Sequence, residues 1–428
     1  MWRNRAWQRN RRWQVGALMG IGILVNYLDR IGLSVAAPQL QETFHFGPEK
    51  LGLLFSAFFW SYAVCQLPAG ILLDRFGTVR IGRWGGFLWG VASTACAAAA
   101  GFGGLLASRI LLGIAEAPSF MVSAKVTGYW FPRKERALAT ALFDAAAKFS
   151  NVIGVPLVAF LVVAAGWRWG FGLLAGLNFL YFLAFYYRYR DPSADSQLSP
   201  GERMLITGGG ASPEGAPNAG GIALLSYLLG QSKVWGLTIG FAAYGYVFYF
   251  FLTWLPSYMI HTMHMNLLTS AGYAAIPWMV ATCADLLVGG WLIDRLVAQG
   301  YSDSRVRKTV LVCGMTLGLA VLGAPLTHNA SIAILCISIS LGGLATAAPV
   351  FWSMPSLIAP RGGVATLGSL MNLGNNLMGA AAPAVTGYIV ASTNSFASAF
   401  VVAGMVLAAG IAAFVFLLGP IEPLPDLE

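Results

Sequence analysis

The chain has 428 residues, of which 57% are apolar and only 10% charged, with a formal net charge of +9 and five cysteines. A soluble domain is about one quarter charged, so water cannot be the solvent for most of this surface, and the basic excess has to be located before it is read as a nucleic-acid patch. Cys65, Cys96, Cys283, Cys313 and Cys336 all fall in apolar runs, in odd number and without metal-type spacing, which argues for small buried hydrophobes rather than disulfides or zinc.

The N-terminal stretch MWRNRAWQRNRRWQ is basic, but the apolar run after it is too long for a cleaved signal and carries Asp29 and Arg30. It is expected to stay as the first membrane helix. A span needs about 20 mostly apolar residues. On that ruler twelve follow: Trp13–Ala37, Leu51–Leu73, Ile81–Ala100, Gly103–Ser123, Ala137–Ala164, Trp169–Tyr187, Val234–Ile260, Ala271–Ile293, Thr309–Leu326, Ser331–Val350, Val364–Ala391 and Ala397–Leu418. Between the sixth and seventh lies a stretch rich in Gly, Pro and Ser that reads as a flexible cytoplasmic linker. The expected architecture is an all-α membrane protein with an N-terminal six-helix bundle (1–187), a linker (188–232) and a C-terminal six-helix bundle (233–428). The acidic end IEPLPDLE reads as a solvated tail.

With twelve spans, both termini and every even-numbered loop share one side. That side holds 20 Lys and Arg, from Arg3, Arg5, Arg9, Arg11 and Arg12 to Arg305, Arg307, Lys308 and Arg361; the other holds only Lys50 and Arg168. Basic loops stay in the cytoplasm, so the positive charge is a topology signal, nucleic acid is not a partner, and both termini are expected to be cytoplasmic. The halves also echo each other. GILLDRFGTVR (Gly70–Arg80) follows the second span and GWLIDRLVAQG (Gly290–Gly300) the eighth. Both read Gly-x-x-x-Asp-Arg, the mark of a duplicated transporter fold.

Ionisable residues inside spans are costly and mark function or buried pairing. Here they are Asp29, Arg30, Arg109, Glu116, Lys125, Asp144, Lys148 and Asp285. Arg109 and Glu116 are seven apart, two turns along one face of the fourth helix, so both are expected on the same cavity wall. Asp29 and Arg30 point about 100° apart: one can face a cavity while the other meets a neighbouring helix, or each can form its own interhelical bridge. Asp144 and Lys148 are spaced to pair with each other, which leaves open whether Lys148 meets substrate. Lys125 reads as an interfacial residue whose stem lies along the helix, and Asp285 as a structural, coupling or gate residue. Asn372 and Asn376 share a face of the eleventh helix, and Trp352 and Ser353 sit just past the tenth; each is either helix glue or a substrate contact.

The repeated Gly-x-x-x-Asp-Arg resembles the signature loop of the major facilitator superfamily, with Thr78 standing where a basic residue is common. NYLDR (Asn26–Arg30), Tyr62, RILLGIAEAP (Arg109–Pro118), WFPRKERA (Trp130–Ala137) and TWLPSYM (Thr253–Met259) are similar to the anion:cation symporter branch of that superfamily. That branch includes bacterial carriers of sugar acids such as hexuronates, galactonate and glucarate, of tartrate and of aromatic carboxylates. The resemblance implies that Arg30 binds a substrate carboxylate, that Asp29 and Glu116 carry coupling protons, that Arg109 belongs to the same apparatus, and that Tyr27 and Tyr62 line the site. Lys148, Trp352, Ser353, Asn372 and Asn376 complete the expected contacts. Asp74–Arg75 and Asp294–Arg295 are expected to act as cytoplasmic latches. One departure is that Asp144 and Lys148 stand where sugar-acid carriers usually have neutral polar groups; an added cation favours a second carboxylate or a different anion.

The function expected is proton-coupled uptake of a small organic anion across the plasma membrane by alternating access, in a monomer without metal or cofactor. Proton-coupled export of another solute class and sodium-coupled anion symport are the alternatives within transporters. A channel would need a continuous polar stripe. An intramembrane enzyme would need a nucleophile–base or metal set, and His45, His261, His264 and His328 all fall at loops or helix ends, outside any HExxH or GxSxG context.

Overall fold

The computed structural model describes residues 10–132, 135–211, 214, 222–360 and 363–426. Arg3, Arg5, Arg9, Arg133, Lys134 and Arg361, together with the side chains of Asp74 and Asp294, lie outside the described residues. Regular structure among the described residues is helical throughout, as a bilayer demands of a spanning chain whose backbone groups must pair internally.

The elements in chain order are α1 (Arg11–Phe44), α2 (Pro48–Ala97), α3 (Phe102–Glu116), α4 (Ser119–Trp130), α5 (Arg136–Ala165), α6 (Trp167–Arg188), α7 (Pro200–Gly208), α8 (Ile222–Leu229), α9 (Ser232–His261), α10 (Leu267–Ala284), α11 (Ile293–Ala298), α12 (Asp303–Gly318), α13 (Ala330–Ile358), α14 (Val364–Thr393) and α15 (Ala397–Phe416). A π-helical stretch, Asp285–Leu292, joins α10 to α11, and a 3₁₀ stretch, Leu319–Leu326, extends α12. Nine helices among the described residues are long and apolar enough to cross a membrane. With α14 and the two parts of α2, they match the twelve expected spans.

Three local differences have clear causes. The second and third spans form one helical run broken at a single residue, Gly77, whose φ of 79° only glycine adopts cheaply. The first Gly-x-x-x-Asp-Arg therefore lies on the end of a helix rather than in a loop. The second lies likewise on the π segment and α11. The fourth span is divided between α3 and α4, because Pro118 lacks the N–H that would continue the helix. Trp352 and Ser353, expected just past a span, sit inside α13, which runs eight residues beyond Val350 to Ile358.

By packing, the chain divides into two units: Met1–Gly32, Ser61–Asn151 and Ala165–Pro217 in the first, and Leu33–Trp60, Val152–Ala164 and Asn218–Glu428 in the second. The far ends of α1 and α5 and the start of α2 thus pack with the C-terminal helices. In this second unit Ser34 Oγ donates to Thr253 O at 2.6 Å and Ser56 Oγ to Ala380 O at 2.8 Å. Gly52 on α2 meets α14 backbone to backbone; a Cβ there would lie 2.7 Å from Pro383 O and 3.1 Å from Gly387 Cα. The second unit is organised around α9, which is apolar on every side and buried along nearly its whole length.

Part of the segment expected to be a flexible linker is folded onto the base of the first unit. Ser199 caps α7 by accepting from Glu202 N. Arg11 bridges Asp195 at 3.0 Å, and Arg12 bridges Glu202 at 2.9 Å and Glu135 at 2.7 Å. Leu198 and Ile206 enter the same apolar cluster as Trp130, Phe131 and Tyr189. Composition pointed to a linker because α7 is short and polar; tertiary ion pairs supply what its sequence lacks. The expected solvated tail is also anchored, within the second unit: Leu424 N donates to Ile358 O, Ile421 N to Ser304 Oγ and Tyr227 OH to Pro425 O. Of the five cysteines only Cys96 is buried, while Cys283 and Cys313 are exposed; an apolar run in a membrane helix does not say which of its faces looks inward.

Candidate functional site

The site begins with two adjacent charges on α1. Asp29 turns into the first unit. It accepts from Ser93 Oγ at 2.7 Å and from Asn178 Nδ2 at 2.7 Å, and Arg109 Nη1 donates to its backbone oxygen at 3.3 Å. Arg30, about 100° around the helix, turns to Glu116. Its Nε donates to Glu116 Oε2 at 3.1 Å, and both side chains are essentially buried. The guanidinium lies over the rings of Tyr27, at 4.6 Å, and Tyr62, at 5.2 Å. These contacts make a desolvated cation tolerable: a carboxylate neutralises it and two π faces replace part of its hydration. Tyr27 is steadied in turn by Phe120, whose ring packs edge-on to Phe143 of α5.

The position of Glu116 follows from the break after it. Ala117 N closes the last turn of α3 on Gly113 O, and α4 begins again at Ser119 after Pro118. Ala115 O, which a continuous helix would pair with the N–H of residue 119, accepts instead from Trp89 Nε1 at 2.8 Å. The carboxylate therefore stands at the end of a half-helix whose loose backbone is satisfied by a neighbour.

Arg109 and Glu116 share α3, as their spacing predicts, but each meets a different partner: Arg109 the backbone of Asp29, Glu116 the Arg30 side chain. Lys148 Nζ donates to Asp144 Oδ2 at 2.8 Å; the lysine is buried and the aspartate half-buried. In the second unit, Trp352 is exposed and packs edge-on to Phe241. Ser353 accepts from Arg307 Nη1 at 2.8 Å, and Asn376 Nδ2 donates to Asn372 O at 2.9 Å. Asp285 is buried where the π-helical stretch starts. Arg75 and Arg295 are exposed and lie over the rings of Phe76 and Trp291. Thr78, which replaces the usual basic residue of the signature, is buried; its hydroxyl donates to Asp191 Oδ1 at 2.6 Å.

Ser93 and Asn178, which hold Asp29, escaped the sequence reading. The available signal was faint: an amide alone in the apolar run LLAGLNFLYF, and a serine in WGVASTA. Such groups are rarely left in lipid without a partner.

Comparisons with known proteins bear on the family and the fold. The model of the Major Facilitator Superfamily matches residues 19–383. The transporter YybO of Bacillus subtilis (strain 168) is 43% identical over 413 residues, covering 96% of this chain and 95% of its own. The D-galactonate transporter of Escherichia coli O6:H1 is 28% identical over 425 residues, covering 98% of both. The crystal structure of the D-xylose–proton symporter superposes with a TM-score of 0.72 at 14% identity, over 97% of this chain and 99% of that one, a likeness of fold. The class defined by fold and site is therefore a multi-pass helical solute transporter, not an enzyme. The chain belongs to the major facilitator superfamily, and within it resembles carriers of sugar acids.

Proposed function

We propose that this transporter takes up a small organic anion of the sugar-acid type together with protons. The observation that carries the reading is Arg30: a buried guanidinium lying over two tyrosine rings and paired with the Glu116 carboxylate, which a proton could neutralise. Protonating Glu116 from the acidic outside releases Arg30 to take a substrate carboxylate in forked hydrogen bonds. Asp29, whose carboxylate is held by Ser93 and Asn178, is proposed as the second proton-carrying group. Loss of these protons to the cytoplasm restores the internal pair and expels the anion, while the halves of the molecule rock about the site. The galactonate transport named for one relative supports a hydroxylated carboxylate as substrate. The Asp144–Lys148 pair suits an acid with a second anionic group, which would compete with Asp144 for the ammonium. Trp352, Ser353, Asn372 and Asn376 are proposed to meet the polar remainder of the substrate. Asp74–Arg75 and Asp294–Arg295 are proposed as cytoplasmic latches.

The test is uptake into proteoliposomes under an imposed inward proton gradient, with galactonate, glucarate, tartrate and aromatic carboxylates as probes. One acid should accumulate, and a protonophore should collapse the accumulation. Arg30→Ala should lose transport, and Glu116→Gln should keep anion exchange but lose gradient-driven accumulation. Normal uptake by Arg30→Ala would refute the assignment.

A further inference from the structure

Directly beneath the buried carboxylates lies a cavity that the substrate site does not use. It is lined by Gly22 and Ile23 of α1, Gly85 and Trp89 of α2, Ser119 of α4 and Tyr181 of α6, and offers about 20 Å³ to the centres of water-sized molecules. That is room for one water. Its place in the helices is regular. Asn26 and Asp29 lie one and two turns beyond Gly22 on α1, and Ser93 one turn beyond Trp89 on α2. On the oppositely directed chain segments, Glu116 precedes Ser119 by three residues and Asn178 precedes Tyr181 by three. The cavity therefore underlies Ser93, Asn178 and Glu116 by about one helical turn and Asp29 by about two, at about 5.4 Å per turn. It lies on the side of α1 that carries Arg11 and Arg12, which the charge asymmetry makes cytoplasmic.

Several buried polar atoms in and beside it lack the partners that buried groups require. Glu116 Oε1, Ser119 Oγ and both amide atoms of Asn26 are buried without a hydrogen-bond partner among the described residues. Ser119 and Ser123, one turn apart on α4, both line the cavity. Glycine at 22 is required there, since a Cβ would overlap the Tyr181 hydroxyl. Trp89, committed to Ala115 O and stacked on Tyr181 at 5.5 Å, forms a fixed wall.

We propose that this cavity is a water site through which the coupling proton leaves Glu116 for the cytoplasm, with Ser119 and Tyr181 as its relay, along a path inside the first unit that is separate from the substrate's. The relay rests on the proton-coupled reading above. The carboxyl O–H of Glu116 breaks as the water gains that proton. The water passes another of its protons to a hydroxyl oxygen, which releases its own toward the cytoplasmic end. Glu116 is left as a carboxylate, its charge met by Arg30 at 3.1 Å.

The experiment compares two measurements on the full protein in proteoliposomes: anion counterflow at equal pH, and proton-driven accumulation followed with an internal pH dye, with D-galactonate, D-glucarate and tartrate as probes. Ser119→Ala combined with Tyr181→Phe should leave counterflow within about twofold while slowing proton-driven accumulation by about tenfold or more, as loss of a positioned proton carrier does. Ser119→Thr, which keeps the hydroxyl, should restore the rate. Equal loss of both activities would mean a structural role and overturn the relay, as would unchanged accumulation in the double variant, which would send the proton through the substrate cavity. If wild type accumulates none of the probes under a proton gradient, the symport reading fails and takes the relay with it; if wild type accumulates one and the variants do too, only the relay fails.

Discussion

Removing the Arg30 guanidinium takes from the buried Glu116 carboxylate its ion-pair partner. Breaking one partner of a buried ion pair costs about 3–5 kcal/mol, so Arg30→Ala should melt well below wild type in detergent. Arg30→Ala combined with Glu116→Gln should recover most of the loss, because the group left without its partner is then neutral. Additive losses in that double-mutant cycle would mean that the pair does not interact. At this scale the sequence named the intramembrane charges and, within one helix, the Asp144–Lys148 pair, but not the partners that lie on other helices. Asp29 and Arg30 had to diverge because adjacent helical positions do; that Asp29 is held by Ser93 and Asn178 depends on two other helices.

Among the elements, the closest packing occurs where side chains are absent. Gly52 on α2 and Gly387 on α14 bring two backbones together, with a Cβ on Gly387 placed 2.6 Å from Pro48 O. Gly52→Val should force these helices apart. A cysteine introduced at Ser56, whose hydroxyl otherwise bonds Ala380 O, should then label several-fold faster with a membrane-impermeant maleimide, as a local opening of about 1 kcal/mol would allow; unchanged labelling would show that the contact does not seal this end. The segment after α6 offers a second case. Burial, with Asp191 alongside, holds the Tyr189 phenol well above the ordinary tyrosine range, and its hydroxyl donates to Asp191 at 2.7 Å. The unfolded chain ionises near pH 10 and the folded one higher. This stabilisation is thus complete at neutral pH and fades as pH rises through the folded value. Tyr189→Phe should lower the melting temperature at pH 7, and the deficit should shrink above pH about 10. A deficit independent of pH would mean that packing, not the hydroxyl, is lost.

For the whole molecule, the charge asymmetry of 20 against 2 predicts topology. Green fluorescent protein fused after Glu428 should fluoresce, and alkaline phosphatase fused there should be inactive; the reverse pattern would invert every assignment of inside and outside. The division of the chain into two units crosses α1, α2 and α5 rather than following the segment between the sixth and seventh spans. The contacts of Ser34 and Ser56 with Thr253 and Ala380 tie those helix ends to the second unit. Aromatic contacts of Phe55 with Trp254 and of Phe59 with Tyr249 add to them.

The sequence by itself determined the twelve spans, the charge asymmetry that predicts their orientation, the duplicated signature and the short roster of intramembrane charges. Each of these follows from one rule that acts locally: a residue in lipid must be apolar, satisfied or functional. Only the tertiary structure decided which partner each charge takes, that the polar segment after α6 is pinned by Arg11 and Arg12, that the C-terminal tail is anchored, and that a cavity lies one turn below Glu116. Pairing and cavities depend on which faces of distant helices meet. In a chain whose helices are apolar on nearly every side, periodicity carries almost no record of that choice.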